Sequence, residues 1–163
     1  MNITRCADLN PDTLNTLFSR YQLETRWVEN QQQIPGSFWG ESEAGLIDNK
    51  LYIQPQTPVH SALHEACHFI CMDKTRREQL NTDAGGDYDE ENAVCYLQLL
   101  LSDYLDGFDR QQHFKDMDAW GYTFRLGSAK RWFDEDANDA KQWLIDKNLI
   151  NSDEIPSWQI REH

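Results

Sequence analysis

The run His64-Glu65-Ala66-Cys67-His68 holds the residues of this sequence best placed to do chemistry. On a helix, side chains four residues apart share one face, so the two imidazoles can grip the same metal ion. Glu65, beside the first of them, can act as a base on a metal-bound water. Two imidazoles leave such a site one ligand short, because catalytic sites of this kind use three protein ligands and keep a position open for water.

Asp87, Asp89, Glu90 and Glu91 are the candidates for the third ligand. They open a predicted helix, where acids also complement the helix dipole, and that role accounts for those that do not ligate. Glu90 precedes Ala93 and Leu97 at helical spacing and continues the apolar stripe, whereas Glu91 falls on its flank with Val94 and Cys95. Pattern alone slightly favours Glu90 and leaves Glu91 open.

Other residues of chemical interest have plainer readings. His60 extends the histidine stripe by one turn, but three successive turns do not easily reach one ion, so a place at the rim or behind the ligands is expected. Cys67, Cys71 and Cys95 could build a thiolate site, yet the four cysteines (with Cys6) form no C-x-x-C pair, and buried reduced thiols fit better. Cys71 lies two turns after His64 and can line the site. Tyr122 or Arg125 could stabilise a developing oxyanion, beside the roles of a packed ring and a surface cation. Lys74, Arg76 and Arg77 form a basic island that either binds an anion or, the favoured reading, pairs with nearby acids.

The elements that must position these groups can be read in order. Asn10-Pro11-Asp12 is a capped helix start, with Leu14, Leu17, Phe18 and Tyr21 at helical spacing and an end near Arg20. Leu23 to Val28 alternates and predicts a strand. Ser37 to Gly40 predicts a short second strand, and Leu46-Ile47 and Leu51-Tyr52-Ile53 flank a hairpin turn. Thr57-Pro58 reads as a cap and a first-turn proline. The helix that follows should run to about Asp73, with Val59, Ala62, Leu63, Ala66 and Ile70 as its apolar stripe. His64 and His68 fall to one side of that stripe, backed by core. Lys74 to Asp87 reads as a loop or short helical turn followed by a linker. A long amphipathic helix should span Asp87 to Asp106, burying Ala93, Tyr96, Leu97, Leu100, Leu101 and Tyr104, and Gly107 should stop it. Helical patterns recur over Arg110–Ala119, Ser128–Phe133 and Asp136–Asn148, with a polar tail from Asn151 lying on the domain.

With strands before it and an acid-headed helix after it, His64 to His68 resembles the minimal zincin scaffold, the gluzincin arrangement of small metallopeptidase-like domains. A narrower run also carries a likeness. Ser61-Ala62-Leu63-His64-Glu65, His68, Lys74 and Arg76-Arg77-Glu78 resemble the corresponding run of elongation factor P hydroxylases, bacterial non-haem iron proteins. In that comparison Glu91, followed by Leu97 and Leu100, takes the place of the third ligand. The resemblance therefore implies His64, His68 and Glu91 as metal ligands, with Glu90 the alternative.

Composition limits the rest. Hydrophobic residues make up 39% and charged residues 26% of the 163 residues, an ordinary balance for a single domain that buries a core. The net charge of −13 disfavours nucleic acid and anionic membranes. It would suit a basic partner, although plain solubility accounts for it. Met1-Asn2-Ile3-Thr4-Arg5 lacks an apolar signal core, and no window approaches the ~20 apolar residues of a span. A cytoplasmic chain is expected.

The expected fold is thus α+β: one zincin-like domain over 1–163, with a small antiparallel sheet packed on the two-histidine helix and a helical C-terminal half. The leading expected function is a metal-dependent, peptidase-like hydrolase. It would hold one divalent ion, zinc or else iron(II), use Glu65 as general base and act on a peptide or protein substrate. A non-haem iron hydroxylase and a non-catalytic metal-stabilised binding module are the two alternatives.

Overall fold

The computed structural model describes residues 3–29, 32–35, 44–80, 86–122 and 127–162. The class is α+β, with the sheet in the first third of the chain and helices thereafter. Helix α1 (Pro11–Ser19) is capped by Asn10, whose side chain accepts from Asp12 N–H, and it buries Leu14, Leu17 and Phe18. Strand β1 (Glu24–Trp27) follows, and β2 (Gly45–Ile47) and β3 (Lys50–Ile53) form the expected hairpin. The sheet order is β1-β3-β2. β2 runs antiparallel to β3, whereas β1 runs parallel to it, from Glu24 opposite Lys50 to Trp27 opposite Ile53. The sheet is therefore mixed rather than purely antiparallel. The predicted strand Ser37–Gly40 lies outside the described residues.

Helix α2 (Val59–Cys71) packs on β2 and β3 and carries the two histidines. Its start differs from expectation. Thr57 is not the cap: its hydroxyl accepts from Gln54 N–H at 2.8 Å and closes the preceding turn. Pro58 stands at the cap position, and the first helical donor, Val59 N–H, is satisfied by Thr4 C=O at 3.0 Å. The N-terminal segment thus caps α2 from outside. The helix ends at Cys71 rather than Asp73, because Asp73 turns outward to cap the short α3 (Lys74–Glu78) by accepting from Arg76 N–H. Arg77 donates to the carbonyls of Phe69, at 3.0 Å, and Met72, at 2.6 Å. It therefore satisfies acceptors that the end of α2 would otherwise leave open.

Helix α4 (Tyr88–Leu101) is capped by Asp87, and its packing against α2 is the main helix–helix contact. Its buried face includes Ala93, Tyr96, Leu97, Leu100 and Leu101 as expected. It stops earlier than expected, passing into a 3-10 turn at Ser102–Tyr104, and Tyr104 is 43% exposed instead of buried. There Tyr104 stacks edge-on against Trp158 of the tail, centroids 4.9 Å apart. Helices α5 (Arg110–Trp120), α6 (Ala129–Glu135) and α7 (Asn138–Asp146) complete the C-terminal half. The tail lies on the body as expected: Arg161 N–H donates to Ile70 C=O, and its guanidinium reaches Cys71 C=O. Among the described residues, no helix is long and apolar enough to cross a membrane.

Candidate metal centre

The α2 stripe of Val59, Ala62, Leu63, Ala66 and Ile70 is fully buried, which fixes the rotation of the helix about its axis. That rotation turns His64 and His68 toward α4. His64 is half-buried and His68 buried. Their rings meet edge-to-face at 90°, with the two Nε2 atoms 3.1 Å apart. The Glu91 carboxylate approaches from the first turn of α4, its Oε2 3.6 Å from His68 Nε2. One donor atom from each of His64, His68 and Glu91 lies within 4.8 Å of the others.

The donor set fits one ion. Two nitrogens each ~2.0–2.1 Å from a tetrahedral metal stand about 3.3 Å apart, and the 3.1 and 3.6 Å separations bracket that spacing. Burial holds the imidazoles of both His64 and His68 neutral, His68 well below the usual histidine range, so their lone pairs are free to ligate. Burial, seconded by the charge of Glu90, pushes the Glu91 carboxyl up, against a hydrogen bond from Gly86 N–H. A cation at this point would relieve that penalty. A His-His-Glu cluster able to hold one metal ion is therefore present.

Glu90 is elsewhere. It is only 2% exposed, as its place on the apolar stripe implied. Its carboxylate takes a two-pronged bond from Arg76, at 2.8 and 2.9 Å, and a third contact from Arg161 at 3.3 Å. The stripe thus located Glu90 correctly, but its charge is answered by two arginines and not by the histidines. The basic island resolves accordingly: Arg76 pairs with Glu90, Lys74 stands 3.9 Å from Glu78, and Arg77 serves backbone carbonyls.

The remaining candidates separate in the same way. Glu65 is half-buried on α2, next to His64 in the chain. His60 is fully buried one turn before His64, between Trp120 and Tyr122 at centroid distances of 5.2 and 5.5 Å. Tyr122 also lies edge-on to His64 at 5.9 Å. Arg125 lies outside the described residues. Cys6, Cys67 and Cys71 are buried and Cys95 half-buried, all as free thiols. Burial raises all four thiols, those of Cys6 and Cys95 to about 12, which keeps them protonated.

Two neighbours of the site went unread in the sequence. Gln98, fully buried on α4, places its Oε1 2.6 Å from His64 Nδ1. Its Nε2 lies 2.9 Å from Nε2 of His113, fully buried on α5. The signal was there: Gln98 is the one polar residue in Tyr96-Leu97-Gln98-Leu99-Leu100-Leu101, and it follows Glu91 by two helical turns. Compared with protein-family models, curated proteins and solved structures, the chain matches none.

Proposed function

We propose that this chain is a metal-dependent hydrolase of peptidase-like type, in which His64, His68 and Glu91 hold one divalent ion and Glu65 is the general base. The observation that carries the reading is the convergence of those three donor side chains from two packed helices, with a carboxylate next in sequence to the first histidine. The zincin resemblance of the sequence supports it.

When bound, the ion would acidify a coordinated water and polarise a carbonyl. The work of the protein is then proton handling and positioning. Glu65 accepts the proton of the attacking water and returns it to the departing amine nitrogen. His64 and His68 stay neutral through the cycle, as their burial dictates. Glu91 would supply the one ligand charge, which would leave a divalent ion held by this set with a net charge of +1.

The same two-nitrogen, one-carboxylate set is also the one used by non-haem iron(II) oxygenases, and the local likeness to elongation factor P hydroxylases points that way. Elemental analysis of protein purified without added metal separates the two. Zinc, together with peptide hydrolysis that falls by roughly 10²–10⁴ in Glu65→Gln while metal stays bound, is the expected outcome. Iron with oxygen-consuming turnover would replace the hydrolase by the hydroxylase. Metal content unchanged in His64→Ala would remove the site altogether.

A further inference from the structure

We infer that Gln98 and His113 are positioning residues that set the tautomer of His64, so that its Nε2 presents a bare lone pair to the metal. The inference rests on the metal-site reading above and adds the device that prepares one of its ligands.

Gln98 and His113 are both closed to solvent. The side chain of Gln98 is fully buried and has one acceptor end and one donor end. Its oxygen faces His64 Nδ1 at 2.6 Å, and its nitrogen faces His113 Nε2 at 2.9 Å. An amide oxygen can only accept, so His64 must carry its proton on Nδ1. A neutral imidazole carries one ring proton, so His64 Nε2, the atom facing His68 Nε2 at 3.1 Å, is left bare. At the other end the amide nitrogen can only donate, so His113 Nε2 must accept and its proton sits on Nδ1.

The reverse arrangement shows what is at stake. Were the amide turned end for end, its N–H would point at His64 Nδ1, and the His64 proton would move to Nε2, directly into the metal position. His113 would then have to donate from its own Nε2. The two ring tautomers and the amide orientation are therefore one linked choice, and only one of its two settings lets His64 ligate. His113 reads the far end of the amide from a separate helix, so α5 takes part in a decision made between α2 and α4. Metal-ligating histidines are commonly oriented this way by a group on the other ring nitrogen. Here the group is a neutral amide, which leaves the charge on the metal less compensated than a carboxylate would.

The test reads the ring directly. In metal-free wild-type protein, long-range ¹H–¹⁵N correlation spectra of the histidine side chains should show His64 protonated on Nδ1 and His113 protonated on Nδ1. Zinc affinity, measured by chelator competition, should fall roughly 10–100-fold in Gln98→Leu. In Gln98→Glu, which keeps an acceptor toward His64, affinity should be retained or tightened, while His113 switches its proton to Nε2. The last pair of results distinguishes orientation from mere packing, and Gln98→Glu carries the test should the leucine variant fold poorly. A metal-free wild-type His64 protonated on Nε2, or equal zinc affinity in wild type and a folded Gln98→Leu, would overturn the inference while leaving the metal site intact. Failure of wild-type protein to bind zinc, iron or cobalt at all would overturn both together.

Discussion

Glu90 and Glu91 are adjacent carboxylates at the head of one helix, and the structure assigns them opposite consequences when neutralised. Glu90→Gln removes the charge that answers Arg76 and Arg161. Breaking a buried pair by removing one partner costs ~3–5 kcal/mol. Arg161 is well enclosed, with 16% side-chain exposure, but Arg76 is 37% exposed and screened by water. The low end, about 3 kcal/mol, is therefore expected. For a chain of this size that lowers Tm by roughly 6–12 °C. Glu91→Gln has no such penalty. Burial and the neighbouring Glu90 charge already disfavour the Glu91 carboxylate, so metal-free stability should hold or rise slightly.

Metal reverses the order. Zinc at a hundred times its Kd stabilises the native state by about 2.7 kcal/mol, a rise in Tm of roughly 5–11 °C. Wild type and Glu90→Gln should both show that rise. Glu91→Gln loses the proposed third ligand, and its affinity should fall by more than the roughly hundredfold that loss of an outer partner can cost, so its zinc-dependent rise should vanish. Thermal melts of the three proteins, each with and without zinc, give all six values. A Glu91→Gln protein that keeps the zinc-dependent rise, or a Glu90→Gln protein that loses it at unchanged metal-free Tm, refutes the assignment of the third ligand.

Two further outcomes follow from the same packing. Burial lowers His60 to about 3 and depresses His64, His68 and His113 as well. Above the ordinary histidine value of about 6.5 both folded and unfolded states are neutral and stability is complete; below it the unfolded chain takes up protons that the folded chain does not, so metal-free stability is lost as pH falls below about 6.5. Urea midpoints that stay level between pH 7.5 and 5.5 would contradict this. At Gly86, an added Cβ would collide with the Glu90 carboxylate that the arginines hold. Gly86→Ala should therefore cost ~1–3 kcal/mol in urea denaturation and weaken zinc binding through the Gly86 N–H bond to Glu91; a variant as stable as wild type with unaltered affinity would show that this turn does not shape the site.

Much of the site was legible because helical periodicity fixes which side chains share a face. The stripe from Val59 to Ile70 told where His64 and His68 must point, and the acids before Ala93 told which helix would meet them. What periodicity alone could not choose was between Glu90 and Glu91, since consecutive residues are about 100° apart and both turn partly inward. The deciding facts were nonlocal. Arg76 arrives from α3 and Arg161 from the tail, 71 residues after Glu90, and together they occupy Glu90. Thr57 misled for a local reason: a hydroxyl that can cap a helix can equally close the turn before it, and the Thr4 carbonyl had already met the need. The parallel pairing of β1 with β3 left no trace in alternation, which is the same for either strand sense.

The pairing of partners along the two helices also explains why the supporting residues sit where they do. Glu91 meets His68 and Gln98 meets His64, so α2 and α4 run antiparallel through the site. The two α4 residues are seven apart, which returns them to one face of the helix after two turns. The two histidines are four apart, about one turn. A single face of α4 thus brings the Glu91 carboxylate to one histidine and the Gln98 amide to the other, while the face about 100° away gives Glu90 to the arginines that tie down α3 and the tail. Any rotation of α4 that drew Glu90 toward the histidines would withdraw Gln98 from His64 at the same time. The approach of Glu91 to His68 and of Gln98 to His64 is therefore one constraint on the rotation of one helix, and the buried apolar face of Ala93, Leu97, Leu100 and Leu101 is what holds that rotation in place.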